Sequence, residues 1–137
     1  MSRLFAMRVA LAILVCALCA SCSTTQKNAA SQPTFASVVL PPIPVPGVQT
    51  DHALEQQEVA ELSWEYFKRF VSGCGMPDTP VIQGEFWRVQ LWGGFAGSDY
   101  GRFLISKDGR RVTLEPPPSG LTSITRSALS HYGVQYK

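Results

Sequence analysis

VIQGEFWRVQLWGGFAGSDYGRFLISKDGRRVTLE, residues 81–115, is the stretch that decides the fold. In Val81 to Trp92, the residues Trp87, Val89 and Leu91 share one face while Phe86, Arg88, Gln90 and Trp92 share the other. That period of two is the pattern of a strand, with Gly84 as a candidate bulge. Phe103 to Ser106, then Asp108-Gly109, then Arg111 to Glu115 reads as a hairpin. Asp-Gly supplies the positive φ of a tight type I′ turn. GGFAGSDYG, residues 93–101, is then a long glycine-rich connection, and Pro116 to Pro118 stop the last strand. The result is a three-stranded antiparallel meander.

Helices flank it. Residues 51–72 carry Val59, Leu62, Tyr66 and Phe70 at helical spacing, widened by Ala60, Ser63, Phe67 and Val71. Thr50 or Asp51 is placed to cap the start, Glu65 reaches Arg69 one turn on, and Gly73, Gly75 and Pro77 end the run. Residues 121–132 repeat the spacing through Leu121, Ile124, Ala128, Leu129 and Tyr132. The expected fold class is α+β: an N-terminal helix packed on a three-stranded antiparallel meander, with a short C-terminal helix. The domain spans 51–137, near the size at which a single core is only marginally stabilising.

The segment before it has two parts. Residues 23–34, STTQKNAASQPT, are small and polar, and VVLPPIPVPGV, residues 38–48, holds four prolines. Leu40 to Pro46 is expected in polyproline II, so 22–50 reads as a tether, either free or lying against the domain as an irregular edge. Residues 1–21 have the order of a secretory signal peptide: Arg3 and Arg8, an apolar run from Val9 to Leu18, then Ala20 and Ser21. A small pair before Cys22 resembles the lipobox of bacterial lipoproteins. That resemblance implies a lipidated Cys22, and Ser23 after it implies sorting to the outer membrane. Ordinary cleavage releasing a soluble protein and an uncleaved anchor remain as alternatives, although the apolar run is short against the roughly 20 residues needed to span.

Charge and cysteine usage narrow the function. The chain carries +2, and loss of Arg3 and Arg8 leaves ten cations against ten acids. That balance excludes a nucleic-acid partner bound through excess Lys and Arg. Acids gather between Asp51 and Glu65, while Arg102, Lys107, Arg110, Arg111, Arg126 and Lys137 dominate the last third. Of four cysteines, Cys16 and Cys19 leave with the signal and Cys22 is blocked, so Cys74 stands alone, read as a partly buried small residue.

No catalytic constellation is visible. His52 and His131 lack the spacing of a zinc site, and neither a metal nor another cofactor is expected. Glu85, Asp99 and Glu115 show no paired-carboxylate spacing, and 93–101 has neither GxGxxG nor GxxxxGK. The loop is read instead as a recognition element, with Phe95, Asp99 and Tyr100 as contacts, Trp92 at its base and Arg102 beside it.

Trp87-Arg88-Val89, Gly101, Phe103-Leu104-Ile105, Asp108-Gly109 and Val112 together resemble a pattern shared by PepSY-like domains and small NTF2-like immunity proteins of the bacterial envelope. The resemblance covers 51–115 and leaves the last helix outside. It implies binding or inhibition at the envelope and carries no catalytic motif. The expected function is therefore a non-enzymatic, lipid-anchored envelope protein that binds a protein partner. Alternatives are a structural envelope-assembly or cell-wall-associated lipoprotein using the tether as a spacer, and a small hydrolase.

Overall fold

The computed structural model describes residues 35–71, 73–94 and 97–136. The signal peptide, Cys22, residues 23–34 and Phe95 lie outside the described residues. The chain runs β1 (Val38–Leu40), α1 (Gln56–Tyr66), a π-helical turn (Phe67–Val71), β2 (Gly75–Pro77), β3 (Val81–Gln83), β4 (Phe86–Gly93), β5 (Ser98–Ser106), β6 (Val112–Glu115) and α2 (Ser123–His131). All pairings are antiparallel, in the order β1-β6-β5-β4-β2, with β3 also on β4.

This corrects the expected fold class. The sheet has six strands, not three, and the first helix lies in the middle of the chain, after β1. The meander of β4, β5 and β6 forms its centre, and the three added strands have only three residues each. β1 ends where Pro41 begins, so the prolines terminate a strand without forbidding it. β2 and β3 line the same edge of β4, interrupted at Asp78-Thr79-Pro80, where Asp78 N–H donates to the Gln90 carbonyl at 2.7 Å. Short, proline-broken strands of this kind blunt an edge against unwanted pairing.

Turn and bulge positions differ from expectation too. Gln83 pairs with Phe86, so Gly84 and Glu85 make a tight hairpin loop. The bulge falls instead between the pairs Gln90–Arg102 and Trp92–Asp99, where Leu91 alone opposes Tyr100 and Gly101. Gly101 has φ +96°, and a Cβ there would collide with the Glu115 carbonyl, so this position needs glycine. Ser106 N–H donates to the Arg111 carbonyl at 2.9 Å, which leaves a four-residue Lys107–Arg110 loop in place of a type I′ turn. Asp108 organises that loop, accepting from the Ser106 hydroxyl at 2.7 Å and from Arg110 N–H at 3.1 Å.

α1 starts at Gln56, later than Asp51, because Leu54 is drawn into the core and its N–H donates to the Lys107 carbonyl at 2.7 Å. Glu55 caps the helix, and its N–H donates to the Glu58 carboxylate at 2.9 Å. The π-helical turn widens the helix by one residue and rotates the side chains beyond it about the axis. Glu65 accordingly pairs with Lys68, and the Arg69 guanidinium lies over the Tyr132 ring at 5.8 Å. Phe67, Phe70 and Val71 are thereby all buried. α2 is capped by Thr122, whose hydroxyl accepts from Thr125 N–H at 3.1 Å.

One face of the sheet is covered. Val59, Leu62, Tyr66, Phe67, Phe70, Val71 and Leu129 from the helical layer meet Trp87, Val89, Leu91, Phe103, Ile105, Val112 and Leu114 from the sheet, with Val38 and Leu40 from β1. Residues after β1 dock rather than swing free. The Tyr66 hydroxyl donates to the Pro41 carbonyl at 3.2 Å and accepts from Ile43 N–H at 3.3 Å, and Ile43, Val45 and Val48 pack against the core.

The edge strand is part of the folding unit, and one substitution tests it. Leu40→Ala is expected to lower stability by about 2–4 kcal/mol, the range for a buried large-to-small change. The neighbouring exposed Val39→Ala should stay within about 0.5 kcal/mol in the same denaturant titration. Equal, negligible effects would mean that 38–40 is not held by the sheet.

Candidate functional site

Alternation along β4 and β5 creates a second face that no helix among the described residues covers. Pairing places Val81, Arg88, Leu104, Thr113 and Val39 in one row across the sheet, and Gln90, Arg102 and Glu115 in the next. Met76, Trp92 and Asp99 form a third row toward the β4–β5 end, and Phe86 with Ser106 a fourth at the opposite end. Met76 is 60% exposed, Val39 55%, Val81 44%, Trp92 40% and Phe86 38%. Five large apolar side chains thus share one open surface. Single exposed apolar residues are ordinary; a set on one open face is a candidate contact surface.

Polar side chains hold this surface in shape. Gln90 Nε2 donates to Asp99 Oδ1 at 2.8 Å and to the Gly101 carbonyl at 2.9 Å, while Gly101 N–H donates to the same Asp99 oxygen at 2.7 Å. Asp99 therefore clamps the bulge. Trp92 Nε1 donates to Asp78 Oδ2 at 3.2 Å, fixing the indole against the broken edge. The Thr79 N–H first, and this indole second, hold the Asp78 carboxyl below its usual range. Arg102 Nε meets Glu115 Oε2 at 2.6 Å, whereas Arg88 forms no ion pair among the described residues.

Three of the five contact residues read from the sequence, Trp92, Asp99 and Arg102, come together on this face. Tyr100 does not. The bulge turns it to the covered side, where it packs against the core and its ring lies directly over Gly93; a Cβ on Gly93 would fall inside that ring. Phe95 is outside the described residues. Nor are 93–101 one long loop, because β4 runs to Gly93 and β5 begins at Ser98. Sequence reasoning missed Met76, Val81, Phe86, Arg88 and Val39 as site residues. Their shared period-two phase with Trp92 was the available signal for Phe86 and Arg88; for the others the pairing itself was needed.

Elsewhere, Cys74 is an exposed thiol rather than a partly buried one, and His131 packs edge-on to Tyr132 with ring centroids 5.0 Å apart. Among the described residues, no three His, Cys, Asp or Glu are placed to hold a metal ion, and no helix is long and apolar enough to cross a membrane. No protein-family model, curated protein or solved structure matches this chain.

A separate ionic cluster guards the start of α1. His52 Nδ1 lies 2.8 Å from Asp51 Oδ1 and Nε2 lies 3.1 Å from Glu58. These bonds, Asp51's first, raise the imidazole above its ordinary 6.5. His52 in turn lowers Asp51 below 3.8, and the Glu55 N–H followed by His52 lowers Glu58 below 4.5. A raised folded-state value means stability that is complete below 6.5 and lost as pH rises through the imidazole's folded value; for the carboxylates the loss comes on acidification. Denaturant midpoints should therefore fall as pH climbs past 6.5, and His52→Gln should flatten that alkaline flank. An unchanged slope in the variant would remove His52 as its source.

Proposed function

We propose that this protein is a non-enzymatic cell-envelope lipoprotein, anchored through Cys22 to the outer membrane and facing the periplasm, whose domain binds a protein partner through the open sheet face. The observation that carries the reading is the uncovered face itself, with Met76, Val81, Phe86, Trp92 and Val39 exposed together and Arg88, which has no ion pair among the described residues, between them. Aromatic, Met and Arg side chains are the types enriched in protein interfaces. Asp78, Gln90, Asp99 and Glu115 supply a hydrogen-bonded frame that is already formed, so little ordering accompanies binding.

Support for the anchor comes from the order of residues 1–22, and the resemblance to PepSY-like and NTF2-like envelope domains points to binding rather than turnover. The spacer role loses ground, because the proline-rich stretch packs on Tyr66 and the core instead of standing free. Only residues 23–34 then separate Cys22 from the first described residue, a length that spans at most about 45 Å when extended.

Crosslinking in the intact envelope tests the reading. The wild-type chain should recover one stoichiometric protein, and Trp92→Ala together with Val81→Asp should reduce recovery at least about tenfold, the loss of a central contact worth about 1.4 kcal/mol or more. Cys22→Ala should abolish recovery with the membrane fraction. Undiminished capture by the doubly substituted, folded chain would rule out the open face as the contact surface.

A further inference from the structure

The open sheet face is divided in charge along its strands. At the β4–β5 end, residues 74–80 and 92–101 hold two acids, Asp78 and Asp99, and no Lys, Arg or His. At the opposite end, residues 81–88 and 104–113 hold Arg88, Lys107, Arg110 and Arg111 against Glu85 and Asp108. Lys107 meets Glu85 at 3.6 Å and Arg110 meets Asp108 at 3.7 Å. Arg88 and the exposed Arg111 make no ion pair among the described residues. Between the two ends lies the row of Gln90, Arg102 and Glu115, in which Arg102 and Glu115 satisfy each other. Apolar side chains stand on both sides of that row. Val81 and Met76 share one edge of β4, paired in the strands with Arg88 and Trp92 respectively.

Resting on the reading above that the open face binds a protein, we propose that its partner is a second copy of this chain. The two copies dock about a two-fold axis along the Gln90–Arg102–Glu115 row. Such an axis reverses the strands and carries β4 of one copy over β4 of the other. The Arg88 row of each copy then faces the Trp92 row of its mate. Val81 meets Met76 of the second copy, and Arg88 meets Trp92 with Asp99 beside it. The first contact joins apolar to apolar, the second a guanidinium to an indole and a carboxylate. Each contact occurs twice. A patch whose two halves complement each other is what an isologous pair requires. At the axis, the Arg102–Glu115 pair meets its own copy as a neutral unit. Four rows about 7 Å apart on strands about 4.8 Å apart span only about 20 Å by 20 Å. That is a small interface, so the face is open in dilute protein and closes when anchoring to one membrane concentrates the copies. The one stoichiometric protein expected from the envelope is then the chain itself.

Cysteine pairs test this in the intact envelope, with the Cys74→Ser chain as the baseline. In that background one chain carries Val81→Cys, another carries Met76→Cys, and the two are expressed together. A thiol crosslinker short enough to bridge sheets about 10 Å apart should join them. Either variant expressed alone should give at least about tenfold less product, because each cysteine then lies about 14 Å along the strands from its own copy. Arg88→Glu in both chains should lower the mixed yield about tenfold, with the circular dichroism of the purified chain unchanged. Equal product from single and mixed variants, no product from the mixture, or indifference to Arg88→Glu would overturn the second copy as the occupant. A water-soluble maleimide applied to Met76→Cys separates that failure from failure of the binding reading. A thiol shielded in the envelope but reactive in the purified chain would mean that a different protein covers the face. A thiol reactive in both settings would overturn both.

Discussion

Tyr66 sits where the three parts of the fold meet, and its buried ring with a hydrogen-bonded hydroxyl is the constraint on which the rest depends. Its ring packs on Phe70 within the helical layer and edge-on to Phe103 in the middle of the sheet, with centroids 5.8 and 6.2 Å away. Its hydroxyl donates to the Pro41 carbonyl and accepts from Ile43 N–H in the segment after β1. Burial pushes that hydroxyl up from its ordinary value, with the Ile43 N–H acting against the shift, so it remains a neutral donor at physiological pH. One side chain therefore registers helix, sheet and N-terminal segment together. Without the fastening of Pro41 and Ile43, the three backbone pairings of β1 would have to hold a proline-rich chain end alone.

A single helical layer can cover only one side of a six-stranded sheet, and this fold accepts the consequence. The covered face is continuous, because Tyr100 is carried to it by the bulge at Gly101 and fills the space that Gly93 leaves. The opposite face keeps large apolar side chains in the open, framed by hydrogen bonds that do not require a partner. No buried side-chain polar atom among the described residues lacks a hydrogen bond. Exposure of Met76 and Trp92 is thus not the by-product of a poorly satisfied fold; the central strands bury their apolar side chains on the helix side and leave large ones open on the other.

Much of this was legible in the sequence. The central meander announced itself through period-two alternation, and both helices through their apolar spacing, since these elements are long enough for a pattern to repeat. β1, β2 and β3 were not legible. Three residues cannot display a period, and Pro41, Pro77 and Pro80 read locally as breakers while lying at strand ends on sheet edges. The π-helical turn escaped because its buried residues, Phe67, Phe70 and Val71, also fit an ordinary helix. Of the residues named around the glycine-rich stretch, Trp92, Asp99 and Arg102 share the open face. Tyr100 was misassigned by one bulge, which reverses the face of a side chain without altering composition.

The central claim is that the open sheet face is covered in the cell. Hydroxyl-radical footprinting measures this directly, comparing Met76, Phe86 and Trp92 in the purified protein with the same residues in the intact envelope. The account predicts ready oxidation of all three in isolation and strong protection in the envelope, with exposed Ile82 on the edge strand changing little. Equal oxidation in both settings would contradict it.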